Sequence, residues 1–456
     1  MLPAEIFKAY DIRGIVDRTL TVDGVRLIGQ GLGTLARQAQ RNAIVVGRDG
    51  RLSGPKLSAA LGEGIRAAGV DVIDIGMVTT PITYFAAHHL GTQCSVAVTG
   101  SHNPPDYNGL KMVIDGKTLS GDDIQALRTR IERSDFAKGR ATMRSEDVAQ
   151  AYFGRVAGDV RLARPMRLAV DCGNGVAGAF APALYRRLGC EVVELFCEVD
   201  GRFPNHHPDP SQPKNLEDLK RRLRDGDCEL GLAFDGDGDR LGVVTPQGHV
   251  IYADRQLMLF AADVLTRVPG AKVIYDVKST RNLKPWIERH GGVPMLWKTG
   301  HSLIKSKMKE VGAALAGEMS GHTFFGERWY CFDDGLYAGA RLLEILSRHA
   351  YPAGVLDALP DAISTPELQI ACTEGEQHAL IARLSEVAEF PGADDVIRID
   401  GLRVEYADGF GLARASNTTP VIVLRFEADD EKALARIQQE FRRVLTAVKP
   451  GIRLPF

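Results

Sequence analysis

Apolar and polar residues alternate along the chain in a unit that occurs three times. Each unit has an apolar run that ends near an aspartate, a segment with apolar residues at helical spacing, a glycine and a second apolar run. Short apolar runs bounded by turn residues predict buried strands, and spacings of three and four residues predict an amphipathic helix. The pattern therefore predicts three related α/β domains with mixed sheets.

The three copies have little sequence identity, but their parts fall in the same order. The predicted first strands are 43–46, 168–170 and 272–275, ending near Asp49, Asp171 and Asp276. The predicted helices cover 57–65, 181–188 and 283–289, and the second strands cover 70–73, 190–193 and 293–296.

Each unit then reaches a further apolar strand that leads into a polar loop. The strands 95–98, 231–234 and 314–316 lead into the loops Thr99–Pro104, Asp235–Arg240 and Gly317–His322. Ligands of open α/β sheets collect beyond the carboxyl ends of the strands. We therefore expect the three loops to face one shared cleft.

The pattern changes after about Pro366. Strands are predicted near 396–399 and 421–426, followed by an amphipathic helix over 430–448, which indicates a smaller α+β C-terminal domain. Its loop Arg414–Pro420 offers a guanidinium with hydroxyl and amide donors, a set that suits phosphate, although a plain turn is the competing interpretation. The predicted domains are 1–148, 149–250, 251–364 and 365–456.

The loop after the strand at 231–234 has three aspartates in five residues, with glycines between them. Glycine lets the chain curl tightly, so that Asp235, Asp237 and Asp239 can converge on one hard cation, which prefers oxygen ligands. An EF-hand is excluded because Arg240 and Pro246 stand where that loop needs glycine and glutamate. An exposed acidic turn remains the alternative to a metal site.

Composition excludes several other classes of protein. The 456 residues are 45% hydrophobic and 25% charged, which is ordinary globular material and too long for one core. A net charge of -2 provides no basic face for nucleic acid and no polybasic membrane anchor. Seven cysteines without C-x-x-C spacing, and no signal-like or membrane-length apolar segment, lead us to expect free thiols, a cytoplasmic location and a small-molecule substrate.

A competing motif lies in the second unit. Gly173-Asn174-Gly175-Val176-Ala177-Gly178 matches G-x-G-x-x-G between a strand and a helix, which is typical of a dinucleotide site and predicts an NAD-dependent oxidoreductase. A tight turn without any ligand also needs such glycines, and the chain has 48 of them.

Ser101 follows an apolar strand in a loop closed by Asn103-Pro104, so a displayed hydroxyl is expected. The loop lacks the G-x-S-x-G elbow of serine hydrolases, and the chain lacks the P-loop signature G-x-x-x-x-G-K-[ST]. Phosphoryl transfer accounts for more of the motifs, because it uses a metal clamp, cationic side chains and a hydroxyl acceptor.

Together the four loops resemble those of the α-D-phosphohexomutases, and Phe7–Gly14 resembles that family's N-terminal signature. Met319 in Gly317–His322 is similar to the mannose/glucose group of the family and differs from the glutamine of the glucosamine mutases. Gly100 stands where many relatives carry alanine, a change that we expect to leave the loop functional.

The resemblance implies that Ser101 carries a phosphoryl group and, with Asp235, Asp237 and Asp239, holds one Mg2+. It places Arg240 beside the ion and puts Arg13, His102 and Lys111 near the phosphoserine, and we assign proton transfer to Lys111 and His102. The implied substrate-binding residues are Tyr10, Lys278, His301, Glu318, Met319, Ser320, Gly321, His322, Arg414, Ser416, Asn417 and Thr418.

The implied reaction converts mannose 6-phosphate or glucose 6-phosphate to the 1-phosphate. It proceeds through glucose 1,6-bisphosphate or mannose 1,6-bisphosphate, which turns end over end in the cleft, and the product would supply nucleotide-sugar precursors for surface polysaccharides. The enzyme is expected to act as a monomer. The alternatives are a phosphoglucosamine mutase and a non-catalytic sugar-phosphate binding protein.

Overall fold

The computed structural model describes residues 2–456, and within them the chain forms four β-sheets flanked by helices. No helix of this described part is both long and apolar enough to cross a membrane. The cysteines are free thiols. The predicted fold class is therefore observed, with three α/β units and a smaller C-terminal unit.

The first sheet has the strand order β1-β5-β4-β2-β3-β7, with β6 paired to β5. Strands β4, β2, β3 and β7 are parallel, while β1 and β5 are antiparallel to their neighbours. The elements of this part are β1 Ile12–Ile15, α1 Val22–Gln38, β2 Ala43–Arg48, α2 Gly54–Ala67, β3 Asp71–Met77, α3 Thr80–His89, β4 Ser95–Val98, β5 Tyr107–Ile114, β6 Lys117–Thr118, α4 Asp122–Glu132 and β7 Met143–Ser145, after a 3-10 turn at Ala4–Ile6.

The second sheet has the order β12-β11-β10-β8-β9. Its elements are α5 Ala149–Asp159, β8 Arg167–Asp171, α6 Ala181–Arg187, β9 Glu191–Leu195, α7 Glu217–Arg224, β10 Leu230–Phe234, β11 Leu241–Val244 and β12 Val250–Ile251, with 3-10 turns at Val176–Ala179 and Pro213–Leu216.

The third sheet has the order β14-β13-β15-β16. Its elements are α8 Ala253–Arg267, β13 Lys272–Asp276, α9 Leu283–Arg289, β14 Val293–Trp297, α10 His301–Val311, β15 Leu315–Gly317, β16 Thr323–Phe325, α11 Gly335–Leu346 and α12 Pro352–Asp357.

The fourth sheet is antiparallel, with the order β17-β22-β21-β20-β19 and β18 paired to β22. Its elements are β17 Ile363–Ser364, β18 Leu368–Ala371, α13 Glu376–Val387, β19 Asp395–Ile397, β20 Leu402–Tyr406, β21 Gly409–Ala415, β22 Val421–Ala428 and α14 Glu431–Val448. Because β17 pairs with β22, this sheet begins two residues before the predicted boundary at 365; the domain boundaries themselves stay predictions.

The first three sheets share one arrangement of strands, and this arrangement positions their loops. In each, a run of parallel strands is followed by an antiparallel neighbour, and a loop joins the last parallel strand to that neighbour: β4 to β5, β10 to β11, and β15 to β16. Each loop therefore leaves from the carboxyl end of a buried parallel strand, which explains why the sequence pattern repeats.

The hydrophobic cores show how the parts are joined. One continuous core runs from β3 and α3 through the second and third sheets to α12, so the first three units are packed together. The C-terminal unit has a separate core between α13, α14 and its own sheet. It is attached to the third unit by Arg403, which donates to the carbonyls of Val277 (2.7 Å) and Ser279 (2.6 Å), and by Thr280, which donates to Glu427 (2.7 Å).

Candidate active site

A cleft of about 610 Å³ opens where the four units meet. This size is typical of small-molecule sites. The predicted site residues that line it are Tyr10, Arg13, Ser101, His102, Lys111, Arg240, Lys278, His301, Glu318, Met319, Ser320, His322, Arg414, Ser416 and Thr418. The prediction that the loops face one cleft is thus confirmed.

The aspartate loop is folded around its first carboxylate. Oδ1 of Asp235 accepts backbone N–H groups from Gly238 (3.0 Å), Asp239 (3.1 Å) and Arg240 (3.2 Å). Gly238 has a φ of +78°, which a side chain would disfavour. These bonds turn the other carboxylates toward the same point under the floor of the cleft.

The three carboxylates form a site that suits a divalent cation. One oxygen from each of Asp235, Asp237 and Asp239 lies within 4.8 Å of the others, and all three side chains are fully buried. Oδ1 of Asp237 and of Asp239 have no hydrogen-bond partner in residues 2–456. Burial, together with the charges of Asp239 and Asp237, raises the pKa of the Asp235 carboxyl well above its usual range. An oxygen-only set with unpaired buried carboxylate oxygens fits Mg2+ and makes an exposed acidic turn untenable.

Ser101 lies directly against this cluster. Its Oγ is 3.1 Å from Oδ2 of Asp235 and 3.1 Å from Nδ1 of His102. Its φ is +48°, in the left-handed region that non-glycine residues rarely adopt. Such a conformation persists only where the surroundings hold it, so contacts of the serine loop matter for the position of the hydroxyl.

Two residues outside the predicted site hold the serine loop. Oδ2 of Asp49, at the end of β2, accepts Thr99 Oγ1 (2.7 Å) and the Gly100 N–H (3.3 Å). The fully buried guanidinium of Arg51 donates to four backbone carbonyls, those of Ser101 (2.8 Å), Asn103 (2.6 Å), Pro104 (2.5 Å) and Tyr107 (2.9 Å). Arg51 therefore fixes the backbone from the serine onward, while Asp49 holds the residues before it.

We expect Arg51→Lys to lower kcat by about 100-fold with little change in KM, because an ammonium cannot bridge four carbonyls and a misplacement of about 1 Å at a reacting group costs about that much. Steady-state kinetics on the purified variant would measure both constants. Arg37→Lys is the matched control, because Arg37 donates to the carbonyls of Ala68 and Lys138 away from the cleft. A higher KM with an unchanged kcat would contradict the role of Arg51.

Lys111 and His102 take different positions. Nζ of Lys111 donates to Asp237 (2.7 Å) and Asp239 (2.5 Å), and although burial opposes its charge, these carboxylates hold the pKa of the ammonium well above its usual range. The Lys111 side chain is thus a fixed positive charge. His102, by contrast, contacts the Ser101 hydroxyl itself.

Arg13 and Arg240 bring further positive charge to the same floor. Arg13 donates to Asn103 (2.5 Å) and pairs with Asp11. Arg240 lies 3.9 Å from Asp235, and its Nε lies 3.3 Å from Nε2 of His322. The second contact joins the aspartate loop to the third loop.

The third loop presents Glu318 and His322. Nδ1 of His322 is 2.9 Å from Glu318 and its Nε2 is 3.3 Å from Asp239; burial opposes protonation, but the carboxylates outweigh it and raise the pKa of the imidazole to about 9. Glu318 also accepts the Gly300 N–H at 2.6 Å. Gly321 does not line the cleft; its φ of +109° lets the loop turn so that Ser320 and His322 face inward.

The fourth loop and β13 provide cations at the opposite end of the cleft. Arg414 donates to Asp400 (3.0 Å), and its Nη2, although buried, has no partner among the described residues. Lys278 donates to Glu367 at 3.1 Å. Ser416 and Thr418 line the cleft beside them, whereas Asn417 is half-buried and not part of the lining. An unpaired guanidinium nitrogen beside hydroxyl groups is suited to an anion such as phosphate.

Five of the six backbone N–H groups in the glycine motif of the second unit are already hydrogen-bonded within the protein. The N–H groups of Gly173, Asn174, Gly175, Val176 and Gly178 donate to Asp171, Phe196, Cys172, Gly236 and Gly175 respectively. A Cβ at Gly175 would lie 3.0 Å from Gly236 of the aspartate loop. These glycines allow close packing of the metal loop, which removes the basis for a nicotinamide site.

Sequence reasoning missed Arg51, Asp333, Glu367 and Asp400. Asp333 is buried, lies 2.9 Å from Lys305 and is 3.8 Å from both His301 and His322. Asp49 and Asp276 were recognised only as the ends of strands, yet each binds its unit's loop, with Asp276 accepting the Met319 N–H at 3.2 Å. The aspartate at the end of the first strand is the signal that could have found this role in the first and third units, whereas Asp171 of the second unit binds the Gly173 N–H and His206 instead.

Comparison with known proteins agrees with this geometry. Family models described as phosphoglucomutase/phosphomannomutase alpha/beta/alpha domains I, II and III match residues 4–138, 150–248 and 252–361, and the C-terminal domain model matches residues 367–444. The chain belongs to the phosphoglucomutase/phosphomannomutase family. The resemblance seen in the four loops is thereby confirmed.

Relatives of known name match over almost the whole chain. A phosphoglucomutase of Neisseria gonorrhoeae is 59% identical over 444 residues, covering 97% of this chain and 96% of that protein. A phosphomannomutase/phosphoglucomutase of Pseudomonas aeruginosa is 54% identical over 456 residues, covering 100% and 98%. The crystal structure of a phosphoglucomutase/phosphomannomutase family protein from Burkholderia thailandensis has a TM-score of 0.96 at 58% identity and covers all of both chains.

Proposed function

We propose that this chain interconverts the 6-phosphate and 1-phosphate of mannose or glucose through a phosphoserine at Ser101 and a hexose 1,6-bisphosphate. The contact between Ser101 Oγ and the buried carboxylate cluster carries the proposal. The Ser101 hydroxyl belongs to a residue with a left-handed backbone conformation. It lies beside a site for a hard cation and at the floor of a sugar-sized cleft, an arrangement that is suited to phosphoryl transfer and to little else. The names of the full-length relatives support the substrate class.

In the first half-reaction the phosphorus–oxygen bond to Ser101 breaks while a bond forms to a free sugar hydroxyl. The hydroxyl loses its proton and the serine oxygen gains one, so charge and atoms balance. We assign the proton at the serine oxygen to His102, because its Nδ1 lies 3.1 Å from that atom. The ammonium of Lys111 serves as a fixed positive charge near the oxygens that release and accept the phosphoryl group. Arg13 lies beside the serine loop, where it donates to Asn103.

Mg2+ would be held by Asp235, Asp237, Asp239 and an oxygen of the phosphoserine. When bound, the ion supplies positive charge that lowers the repulsion between the phosphoserine and an anionic sugar phosphate. Arg240 adds charge from the side that faces the cleft.

The remaining cleft residues bind the substrate away from the reaction. Glu318 and Ser320 accept or donate to sugar hydroxyls, with Met319, Tyr10, His301 and His322 around the ring. The phosphate that does not react is held by Arg414, Ser416, Thr418 and Lys278. Asn417 contributes less to phosphate binding, because it does not line the cleft. The bisphosphate must turn so that either phosphate can occupy this distant position, and binding energy from that end orients the reacting end.

Arg414→Lys should raise KM for the sugar phosphate by about tenfold, because lysine lacks the planar fork that binds two phosphate oxygens. Steady-state kinetics would measure the change. Arg436→Lys is a matched control in the same unit, since Arg436 is exposed and pairs with Asp408. An unchanged KM would mean that the phosphate binds elsewhere.

The function itself is tested by incubating the protein with Mg2+, a trace of glucose 1,6-bisphosphate and each of three substrates. Phosphorus NMR would follow conversion of mannose 1-phosphate, glucose 1-phosphate and glucosamine 1-phosphate. We expect kcat/KM for the first two to exceed that for glucosamine 1-phosphate by at least about tenfold. Preference for glucosamine 1-phosphate would favour a phosphoglucosamine mutase, and binding without conversion would favour a sugar-phosphate binding protein.

A further inference from the structure

A second group of potential metal ligands lies behind the sugar loop, next to the aspartate cluster. It consists of Asp239, His322 and Asp333, each offering one ligand atom, and these atoms all lie within 4.8 Å of one another. All three side chains are almost completely buried. Asp239 belongs to both groups, whereas His322 and Asp333 belong only to this one.

The spacing of the ligand atoms matches a small tetrahedral ion. Nε2 of His322 lies 3.3 Å from Oδ1 of Asp239 and 3.8 Å from Oδ2 of Asp333. Ligands about 2.0–2.1 Å from a tetrahedral ion are separated by about 3.3–3.4 Å, so only small shifts are needed.

The atoms that would bind the ion are unused. Oδ1 of Asp239, Oδ2 of Asp333 and both ring nitrogens of His301 are buried without a hydrogen-bond partner in the part of the chain that the structure describes. Buried polar atoms normally have partners, so the unused oxygens of Asp239 and Asp333, both near Nε2 of His322, indicate a missing ligand. Nδ1 of His301 lies 3.8 Å from Oδ2 of Asp333, outside this group of three, and its ring would have to move toward the ion to become a fourth ligand.

The surrounding contacts orient the group for metal binding. Glu318 lies 2.9 Å from Nδ1 of His322, an arrangement in which a carboxylate fixes the imidazole so that Nε2 is directed at a metal. Lys305 binds the other oxygen of Asp333, so Oδ2 of Asp333 is kept for the ion. Lys111 binds the other oxygen of Asp239, so Oδ1 of Asp239 bridges the two ions when both sites are filled.

We propose that Asp239, His322, Asp333 and His301 form a second divalent-cation site, selective for ions that accept imidazole nitrogen, such as Zn2+ or Co2+. The aspartate cluster has only oxygen ligands and suits Mg2+, whereas a mixed nitrogen and oxygen set suits transition metals. The ion would bind Nε2 of His322 as a neutral imidazole, because metal ligands must be deprotonated. Arg240 then turns from His322 toward Asp209 and Asp235, each 3.9 Å away.

Occupancy of this site withdraws His301 and His322 from the cleft that both of them line. Zn2+ therefore inhibits in competition with the sugar phosphate, and excess Mg2+ does not relieve the inhibition. The site is thus a means by which a transition metal regulates turnover.

The test is a Co2+ titration of the full chain in excess Mg2+, which keeps the aspartate cluster occupied. We expect one Co2+ per chain by elemental analysis and the visible absorption of a four-coordinate site. Asp333→Asn should weaken Co2+ and Zn2+ binding by about 100-fold or more, because even residues outside the ligand shell are worth about 10- to 100-fold in metal affinity.

Asp237→Asn is the matched control, since Asp237 belongs only to the aspartate cluster and this variant should keep the Co2+ spectrum. His301→Gln provides a second variant if Asp333→Asn does not fold, and it should change the spectrum and weaken binding. An octahedral, oxygen-only Co2+ spectrum in the unmodified protein would overturn the proposal. Equal Co2+ affinity in the unmodified protein and in the folded variants would do so as well.

Discussion

Ser101→Ala should reduce kcat by about 10⁴-fold or more, because the variant has no oxygen to carry the phosphoryl group and removal of a nucleophile costs at least that much. Binding of the sugar phosphate should change little, since the residues that bind its distant phosphate lie in the third and fourth units. Coupled assays would measure kcat, and calorimetry would measure the Kd. The same variant incubated with glucose 1,6-bisphosphate should show no added phosphoryl mass in intact-mass spectrometry.

Ser58→Ala is the control for this substitution. Ser58 lies on α2 of the same unit, and its hydroxyl donates only to the carbonyl of Pro55 (3.2 Å). It should retain full activity and acquire the phosphoryl mass. Substantial turnover by Ser101→Ala would end the phosphoserine mechanism, whatever its substrate.

Asp237→Asn should lower kcat by about 100- to 1000-fold and raise the Mg2+ concentration needed for half-maximal rate, because loss of one anionic ligand weakens the cation that stabilises the transferred charge. Asparagine has nearly the shape of aspartate, so Thr80 and Lys111, which donate to Oδ2 of Asp237 at 2.6 Å and 2.7 Å, need not move far. Magnesium titrations of the initial rate would measure both effects.

Asp171→Asn is the comparison for this experiment. Asp171 is a buried aspartate at the end of the neighbouring strand β8, but its carboxylate contacts His206 (3.0 Å) and lies outside the cluster. Its Mg2+ dependence should match that of the unmodified protein. If Asp237→Asn gave the same magnesium titration as Asp171→Asn, the aspartate cluster would not be the activating site.

The parts of the fold that depend on local sequence were predictable. The strand β4 and the helix α9 were placed at their observed ends. The ends of the other repeated strands and helices were placed within four residues, because each element has a run of apolar residues closed by glycine or a polar loop. The convergence of three loops followed from one rule about the carboxyl ends of parallel strands. The contacts that bring them together, such as Thr80 to Asp237, could not be read from any local pattern.

The residues that were missed act over long sequence distances. Arg51 reaches carbonyls that are about 50 to 56 positions further along the chain, and Lys278 meets Glu367 across the junction of two units. A charged residue in a loop has the same local pattern whether it is solvated or buried against another domain. For the same reason the raised pKa of His322 depends on Asp239 and could be found only from the folded chain.

The hold of Arg51 on the serine loop has an evolutionary consequence. The guanidinium lies so close to Gly100 that a Cβ at this position would be 2.5 Å from its Nε and Cζ atoms. An alanine at position 100 would therefore have to displace the arginine, and the change is less neutral than its size indicates. Positions 100 and 51 should therefore covary among homologous chains, with alanine at position 100 accompanied by a compensating change at position 51. Reconstructed ancestral sequences should show which of the two positions changed first.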